Sequence, residues 1–285
     1  MIRIVTDSTA LFIDPALVKH HHIEVVPVYV RFGDQRLRLG FDIDPEEFLY
    51  RMQHYETPPV LEPPSIDELY NIYARLNRET TQIMSLHISD QLADVCKHAL
   101  AASKMLLGRC DIAVIDSQML SAGLGMLVEH AAYLAMQTND LEAAVREVRR
   151  AIPRLYGVFY VQSMKTICRH DLITESQAIL GSMLGIMPCV TIEEGQLTIM
   201  EKALNHHQAI DKLVEFATEF TQIEQLVILH HSTTLTEPVR QLQDRLALEL
   251  GGANFPTQVY DGSIATFLGP DATGIMIFES EEDED

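Results

Sequence analysis

Two aspartates stand directly after apolar runs, where a carboxylate can do chemistry. Thr6-Asp7-Ser8-Thr9 follows the apolar stretch at residues 2–5, and Asp116-Ser117 follows the one at residues 112–115. Ligands of open α/β sheets collect outside the carboxyl ends of strands, near helix N-termini, so the two Asp-Ser steps could line one crevice. The alternative is that both carboxylates cap helices or tie down turns. An aspartate nucleophile of a phosphotransferase needs a second carboxylate two residues on, to hold the metal and act as acid. That position is Thr9. Histidines occur as His20-His21-His22, His206-His207 and His230-His231. Adjacent histidines point apart, whereas metal sites need i,i+4 spacing on a helix or alternation on a strand. No metal site or cofactor is therefore expected. No G-x-G-x-x-G, Walker loop, G-x-S-x-G or H-E-x-x-H is present.

These residues need elements to position them. Residues 2–5 read as a buried strand. Residues 24–30 (EVVPVYV) read as a β-branched strand with Pro27 at an edge or bulge. Asp44 is a plausible N-cap for a short helix from Pro45. Four prolines in residues 57–64 (TPPVLEPP) predict an extended loop. Ser65 with Glu68 forms a capping box for a helix over residues 66–79. A strand over 82–88, a helix over 91–107 and a strand over 112–115 follow. The last has no polar face, as in a parallel sheet covered on both sides. Helices over 121–136, where Gly123 and Gly125 permit close packing, and over 141–151 complete the first half. This alternation implies a Rossmann-like parallel sheet with right-handed crossovers.

The pattern changes after Pro153. A strand over 157–161 precedes a hairpin of strands 188–192 and 196–200 around Glu193-Glu194-Gly195. Helices over 209–220 and 237–250 and strands over 226–229, 257–260 and 274–278 suggest a smaller α+β domain. The expected organisation is an N-terminal α/β domain at 1–155, a C-terminal α+β domain at 156–278 and a disordered acidic tail at 279–285.

Bulk composition narrows the function. The 285 residues are 47% hydrophobic and 22% charged, which is globular, and the formal charge is −20. That excess repels nucleic acids and anionic membranes. The opening residues do not read as a signal peptide, and no stretch approaches the ~18–20 apolar residues of a membrane span. Cys96, Cys110, Cys168 and Cys189 form no C-x-x-C pair and read as reduced thiols. A cytoplasmic protein is expected.

The order of the blocks resembles the DegV family, which includes the fatty-acid-binding subunits of bacterial fatty acid kinase. The resemblance rests on the opening I-x-I-V-T-D-S-T-A, on Val26-Pro27-Val28, Phe41-Asp42-Ile43 and Pro64-Ser65, and on Val114-Ile115-Asp116-Ser117 with Ser121, Gly123 and Gly125. Leu180-Gly181-Ser182-Met183-Leu184 through Pro188, then Glu194-Gly195, extends it. It covers about residues 2–278. It implies two α/β domains holding a long-chain fatty acid in a tunnel between them, presented in kinase-linked members to a separate kinase subunit. No free-standing enzyme is implied.

The resemblance also implies a lipid-binding set of Thr6, Asp7, Ser8, Leu61, Glu62, Ala93, Asp116, Ser117, Arg169 and Phe267. Several of these depart from the family pattern. Leu61 and Glu62 align with the Thr and Ser of its T-S-x-P-S block, and Ala93-Asp94-Val95 with the Ser-Gly-Thr of its L-S-G-T block. Ile167-Cys168 replaces a glycine pair before Arg169, which is kept. Phe267, followed by Leu268-Gly269-Pro270-Asp271, aligns with the His of H-x-G-P-G. Burying an acyl chain gains roughly 0.8 kcal/mol per methylene, but a carboxylate taken from water without partners loses several kcal/mol. Arg169 is the strong donor left. The site could therefore take a fatty acid on Arg169 alone, take a neutral or amine-headed lipid, or be a relic closed by a Glu62–Arg169 pair. The expected function is acyl-ligand binding. The alternatives are a degenerate member with a closed pocket acting through protein partners, and a phosphoryl or acyl transferase using Asp7 or Asp116.

Overall fold

The computed structural model describes residues 1–54, 57–252 and 254–281, and the chain falls into two compact units. The first comprises Met1–Asp44, Thr57–Pro153 and Glu194–Gln196; the second comprises Pro45–Glu56, Arg154–Glu193 and Leu197–Asp285.

The apolar opening forms strand β1 (Arg3–Asp7), followed by helix α1 (Ala16–His20) and β2 (Glu24–Val26). Residues 24–30 are not one strand. β2 ends at Val26, and β3 (Tyr29–Phe32) starts a different sheet, antiparallel to β4 (Gln35–Arg38). Pro27 between them has no N–H to continue the ladder. The Val28 N–H goes instead to Ser8 Oγ at 3.0 Å. Helix α2 (Pro45–His54) belongs to the second unit. The proline-rich segment is not wholly loop: β5 (Val60–Glu62) pairs with β3 as an edge strand, flanked by the prolines. An edge position tolerates them because its outer side needs no donors.

Helix α3 (Ile66–Leu76) carries the expected cap: Ser65 Oγ accepts from Glu68 N, and the Glu68 carboxylate accepts from Ser65 N. β6 (Gln82–His87), α4 (Val95–Lys104), β7 (Asp111–Asp116), α5 (Ser121–Gln137) and α6 (Leu141–Ala151) complete the unit. α4 starts later than the apolar pattern suggests, because residues 89–94 form turns, with Leu92 N and Ala93 N both bonded to Ser89 O. The main sheet is all parallel, in the order β2-β1-β6-β7. Val5, Ile83, Leu69, Tyr73 and Ala99 share one core cluster that seats α3 and α4 on the sheet. Ile4, Met84 and Leu86 point the other way by alternation and are equally buried. α5 and α6 pack against β1, β6 and β7. β7 is not covered on both sides as its sequence suggests. It is the sheet edge, and Ile112, Ala113 and Val114 are only half-buried.

The second unit is built on a mixed six-stranded sheet. Its strands are β8 (Leu155–Tyr160), β9 (Met187–Glu193), β10 (Gln196–Ala203), β11 (Ile223–His230), β12 (Thr257–Val259) and β13 (Thr273–Glu279), in the order β10-β9-β8-β13-β11-β12. β11 and β12 run parallel, and β8 with β9, β8 with β13 and β11 with β13 are antiparallel. Glu194 and Gly195 turn the β9–β10 hairpin with φ of 49° and 80°, the two left-handed positions of the expected tight turn. Helices α7 (Met164–Arg169), α8 (Glu175–Met183), α9 (His206–Thr218), α10 (Glu237–Glu249) and α11 (Gly262–Leu268) complete it. Ile210, Leu213, Leu242 and Leu246 seat α9 and α10 on Val158, Ile228, Ile275 and Ile277. A free tail from residue 279 starts too early: Glu279 is the last residue of β13, and Arg154 pairs with Glu281 at 3.3 Å. The expectation for residues 282–285 lies outside the described residues.

Gly125 has a specific reason to be glycine. A Cβ there would lie 2.1 Å from the backbone carbonyl oxygen of Leu11, which cannot swing away. Gly125→Ala is expected to destabilise the protein by about 3 kcal/mol through this clash, seen as a lower urea midpoint with unchanged slope. A change below about 0.5 kcal/mol would contradict the packing described.

Candidate functional site

Asp7 is fully buried at the end of β1. Its Oδ1 accepts from Thr9 N at 3.0 Å and Thr9 Oγ1 at 2.5 Å, and its Oδ2 accepts from Ile88 N at 3.0 Å. His87 Nδ1 lies 3.1 Å from the same Oδ2. The chain of contacts continues through His87 Nε2 to Ser85 Oγ at 2.8 Å and on to Tyr73 Oη at 2.8 Å. A ring proton on Nδ1 donated to Asp7 leaves Nε2 to accept from Ser85, whose oxygen then accepts from Tyr73, so every group is satisfied. Ser85, His87 and Asp7 have the connectivity of a hydrolytic relay. All are fully buried, so no substrate carbonyl reaches Ser85 Oγ. The carboxylate that sequence reading set at a ligand crevice ties β1 to β6. The Ser85-x-His87 alternation puts both side chains on one strand face, the only sign of this network in the sequence.

Of the neighbouring positions, Thr6 is fully buried with no hydrogen-bond partner for its Oγ1 among the described residues, and Ser8 Oγ accepts from Val28 N. Asp116 Oδ1 accepts from Gln118 N at 2.9 Å and Asp90 N at 3.3 Å, an Asx turn that holds Gln118 at φ 55°. Ser117 Oγ accepts from Met119 N and donates to Met119 O, both at 3.1 Å. Ala93 caps no polar group with its side chain; its N–H bonds Ser89 O. Leu61 and Glu62 lie on β5. The Glu62 carboxylate accepts from Arg31 Nε at 2.6 Å and Arg36 Nε at 3.0 Å. The Arg31 contact is the main reason its carboxyl is held below the usual glutamate range, against a smaller cost of desolvation.

Arg169 and Phe267 belong to the second unit. Phe267 is buried in α11, its ring 5.0 Å from that of His170, whose Nε2 donates to Thr266 O at 2.9 Å. This contact anchors the end of α7 to α11. α8 carries its own capping box, Thr174 with Gln177. It approaches α7 closely because residue 181 is glycine: a Cβ there would sit 2.3 Å from Met164 Cε.

Between α7 and α8 runs an open groove of about 1080 Å³. Its walls include Met164, Cys168, Ile173, Ala178, Ile179 and Met183, and Lys165 and Arg169 line it one helical turn apart. Neither cation forms an ion pair among the described residues. A groove of about 670 Å³ beside β7 contains none of the site residues expected from sequence. Among the described residues no group of three or more His, Cys, Asp or Glu side chains could hold a metal ion, and no helix is long and apolar enough to cross a membrane.

A two-unit α/β chain with a parallel first sheet, a mixed second sheet and a groove lined by both apolar and charged side chains is thereby defined. A family model described as uncharacterised protein, DegV family, matches residues 1–280, and the chain belongs to that family. A DegV domain-containing protein of Caldanaerobacter subterraneus subsp. tengcongensis is 29% identical over 280 residues, covering 98% of this chain and 99% of the relative. A solved structure described as a fatty-acid-binding DegV family protein from Thermus thermophilus is 25% identical, with a TM-score of 0.84 over 98% of this chain and 99% of that one. A DegV family protein of Streptococcus agalactiae, 21% identical, shares the fold with a TM-score of 0.87 over 99% of each chain.

Two measurements test this geometry. Asp7→Asn replaces a carboxylate with a group that cannot accept from every surrounding donor, and should cost about 3 kcal/mol of stability by urea denaturation; a neutral result would mean the donors are not aimed at Asp7. Glu62 should titrate by NMR below its ordinary value of ~4.3 and move up in Arg31→Gln. Because its folded value is lowered, the stability it lends is present above that ordinary value and fades as pH falls through the folded one. An unchanged titration in the variant would refute the pairing.

Proposed function

We propose that this chain binds a long-chain fatty acid or a related acyl ligand, with the head group at Arg169 and the chain along the apolar walls between α7 and α8. The observation that carries this reading is an exposed guanidinium without an ion pair, at the head of a groove lined by Met164, Ile173, Ile179 and Met183. Membership of the DegV family supports it, as does the likeness to a Thermus thermophilus protein described as fatty-acid-binding. A sixteen-carbon chain gains about 10 kcal/mol gross from burial of its methylenes, and one guanidinium can offset much of the desolvation of a carboxylate.

The chain acts as a carrier rather than a catalyst on this reading. The four contacts on Asp7 leave it no lone pair to use as a nucleophile or a metal ligand, and Asp116 Oδ1 is taken up as a turn acceptor. Thr6, Asp7, Ser8, Asp116 and Ser117 then serve the scaffold, and Arg169 serves the ligand. An open groove with its cation exposed suits presentation of the acyl carboxylate to a separate kinase subunit, the partner that the family resemblance implies. The four cysteines are unpaired, as suits work in the reducing cytoplasm.

Native mass spectrometry of freshly purified protein should show an acyl species, and the stripped protein should take up palmitate. Arg169→Gln should weaken that uptake about tenfold or more, the value of one charge-assisted contact. A clean apo mass with no palmitate uptake would overturn the proposal.

A further inference from the structure

The groove between α7 and α8 carries charge of both signs. Lys165 and Arg169 project from α7, four residues apart on one helix face. Asp171, held at φ 58° just after the helix, and Glu175, the first residue of α8, line the same groove. All four are exposed, and among the described residues none forms an ion pair within 4.0 Å. Some neighbouring charges of this unit pair, as Arg154 does with Glu281, Lys212 with Glu201 and Glu215, and Arg245 with Asp211, and others, such as Arg240 and Asp244 on α10, do not among the described residues; the groove is where unpaired charges of both signs border apolar walls. Two cations and two acids that share one groove without touching leave space for a ligand that meets both.

Long-range electrostatics disfavour a simple carboxylate head, and the two groove cations disfavour a simple ammonium head. The chain carries a formal charge of −20, a field that opposes entry of a free carboxylate. A head group with no net charge escapes that repulsion and can still engage each local charge. A simple fatty acid would satisfy Lys165 and Arg169 and leave Asp171 and Glu175 facing its carboxylate.

Resting on the acyl-binding reading above, we infer that the ligand class is a single-chain amphiphile with a zwitterionic head. Its anionic group lies toward Lys165 and Arg169, and its cationic group toward Asp171 and Glu175. The apolar walls from Met164 to Met183 take the chain.

The test compares three sixteen-carbon probes below their micelle concentrations on the stripped full-length protein: palmitate, hexadecyltrimethylammonium and palmitoyl-lysophosphatidylcholine. The zwitterion should bind about tenfold tighter than either singly charged probe. Asp171→Asn with Glu175→Gln should reverse the order, weakening the zwitterion and tightening palmitate. Lys165→Gln with Arg169→Gln should weaken the zwitterion and palmitate alike. Palmitate binding as tightly as the zwitterion to the unaltered protein overturns this inference and leaves the acyl-binding reading standing. No binding of any probe overturns both. The comparison on unaltered protein decides the matter even if a variant fails to fold.

Discussion

A carboxyl group taken out of water must find hydrogen-bond partners for both oxygens, and the first unit is organised around that constraint at the end of β1. Asp7 leaves β1, takes hydrogen bonds from the Thr9 turn on one oxygen, and takes the Ile88 N–H and the His87 contact on the other. One side chain thus fixes the turn after β1, the exit of β6 and the rotamer of a histidine that in turn holds Ser85 and Tyr73 of α3. The cost of desolvating an acid is met by geometry that would collapse if any one element moved.

The second unit handles charge in the opposite way. Its core is apolar, seated by α9 and α10 on the six-stranded sheet. The groove between α7 and α8 keeps its charged groups exposed and without ion pairs. Charges consumed by the scaffold cannot recognise a ligand, and charges left unpaired beside apolar walls can. This division assigns roles that residue type alone does not. Asp7, Glu62 and one oxygen of Asp116 have partners within the first unit, while Arg169 has no ion pair among the described residues.

Much of the scaffold was legible in the sequence because its signals are local. Ser65 with Glu68 marks the start of α3, Glu194-Gly195 marks a tight hairpin, and short apolar runs mark β1, β6 and β11. Local signals also misled. The β-branched run through Pro27 looks continuous although the missing N–H divides it between two sheets, and the prolines around Val60 conceal an edge strand. β7 reads as fully covered because apolar content does not reveal a sheet edge. The site was less legible than the fold. The fate of Asp7 is decided by His87 and Ile88, some eighty residues away. The groove depends on two short helices: α7 has only Ser163 as a cap, whereas the Thr174–Gln177 capping box before α8 is a signal the sequence does offer. Arg169 was found through the family block it preserves, whereas Lys165, Asp171 and Glu175 carry no motif.

The most direct measurement of the central claim is amide hydrogen exchange on the stripped protein with and without a bound sixteen-carbon acyl ligand. Ordering of a chain along the groove should slow exchange across Met164–Met183, the α7–α8 segment that lines it. Saturating ligand that leaves exchange across that segment unchanged would contradict the assignment of the groove as the acyl site.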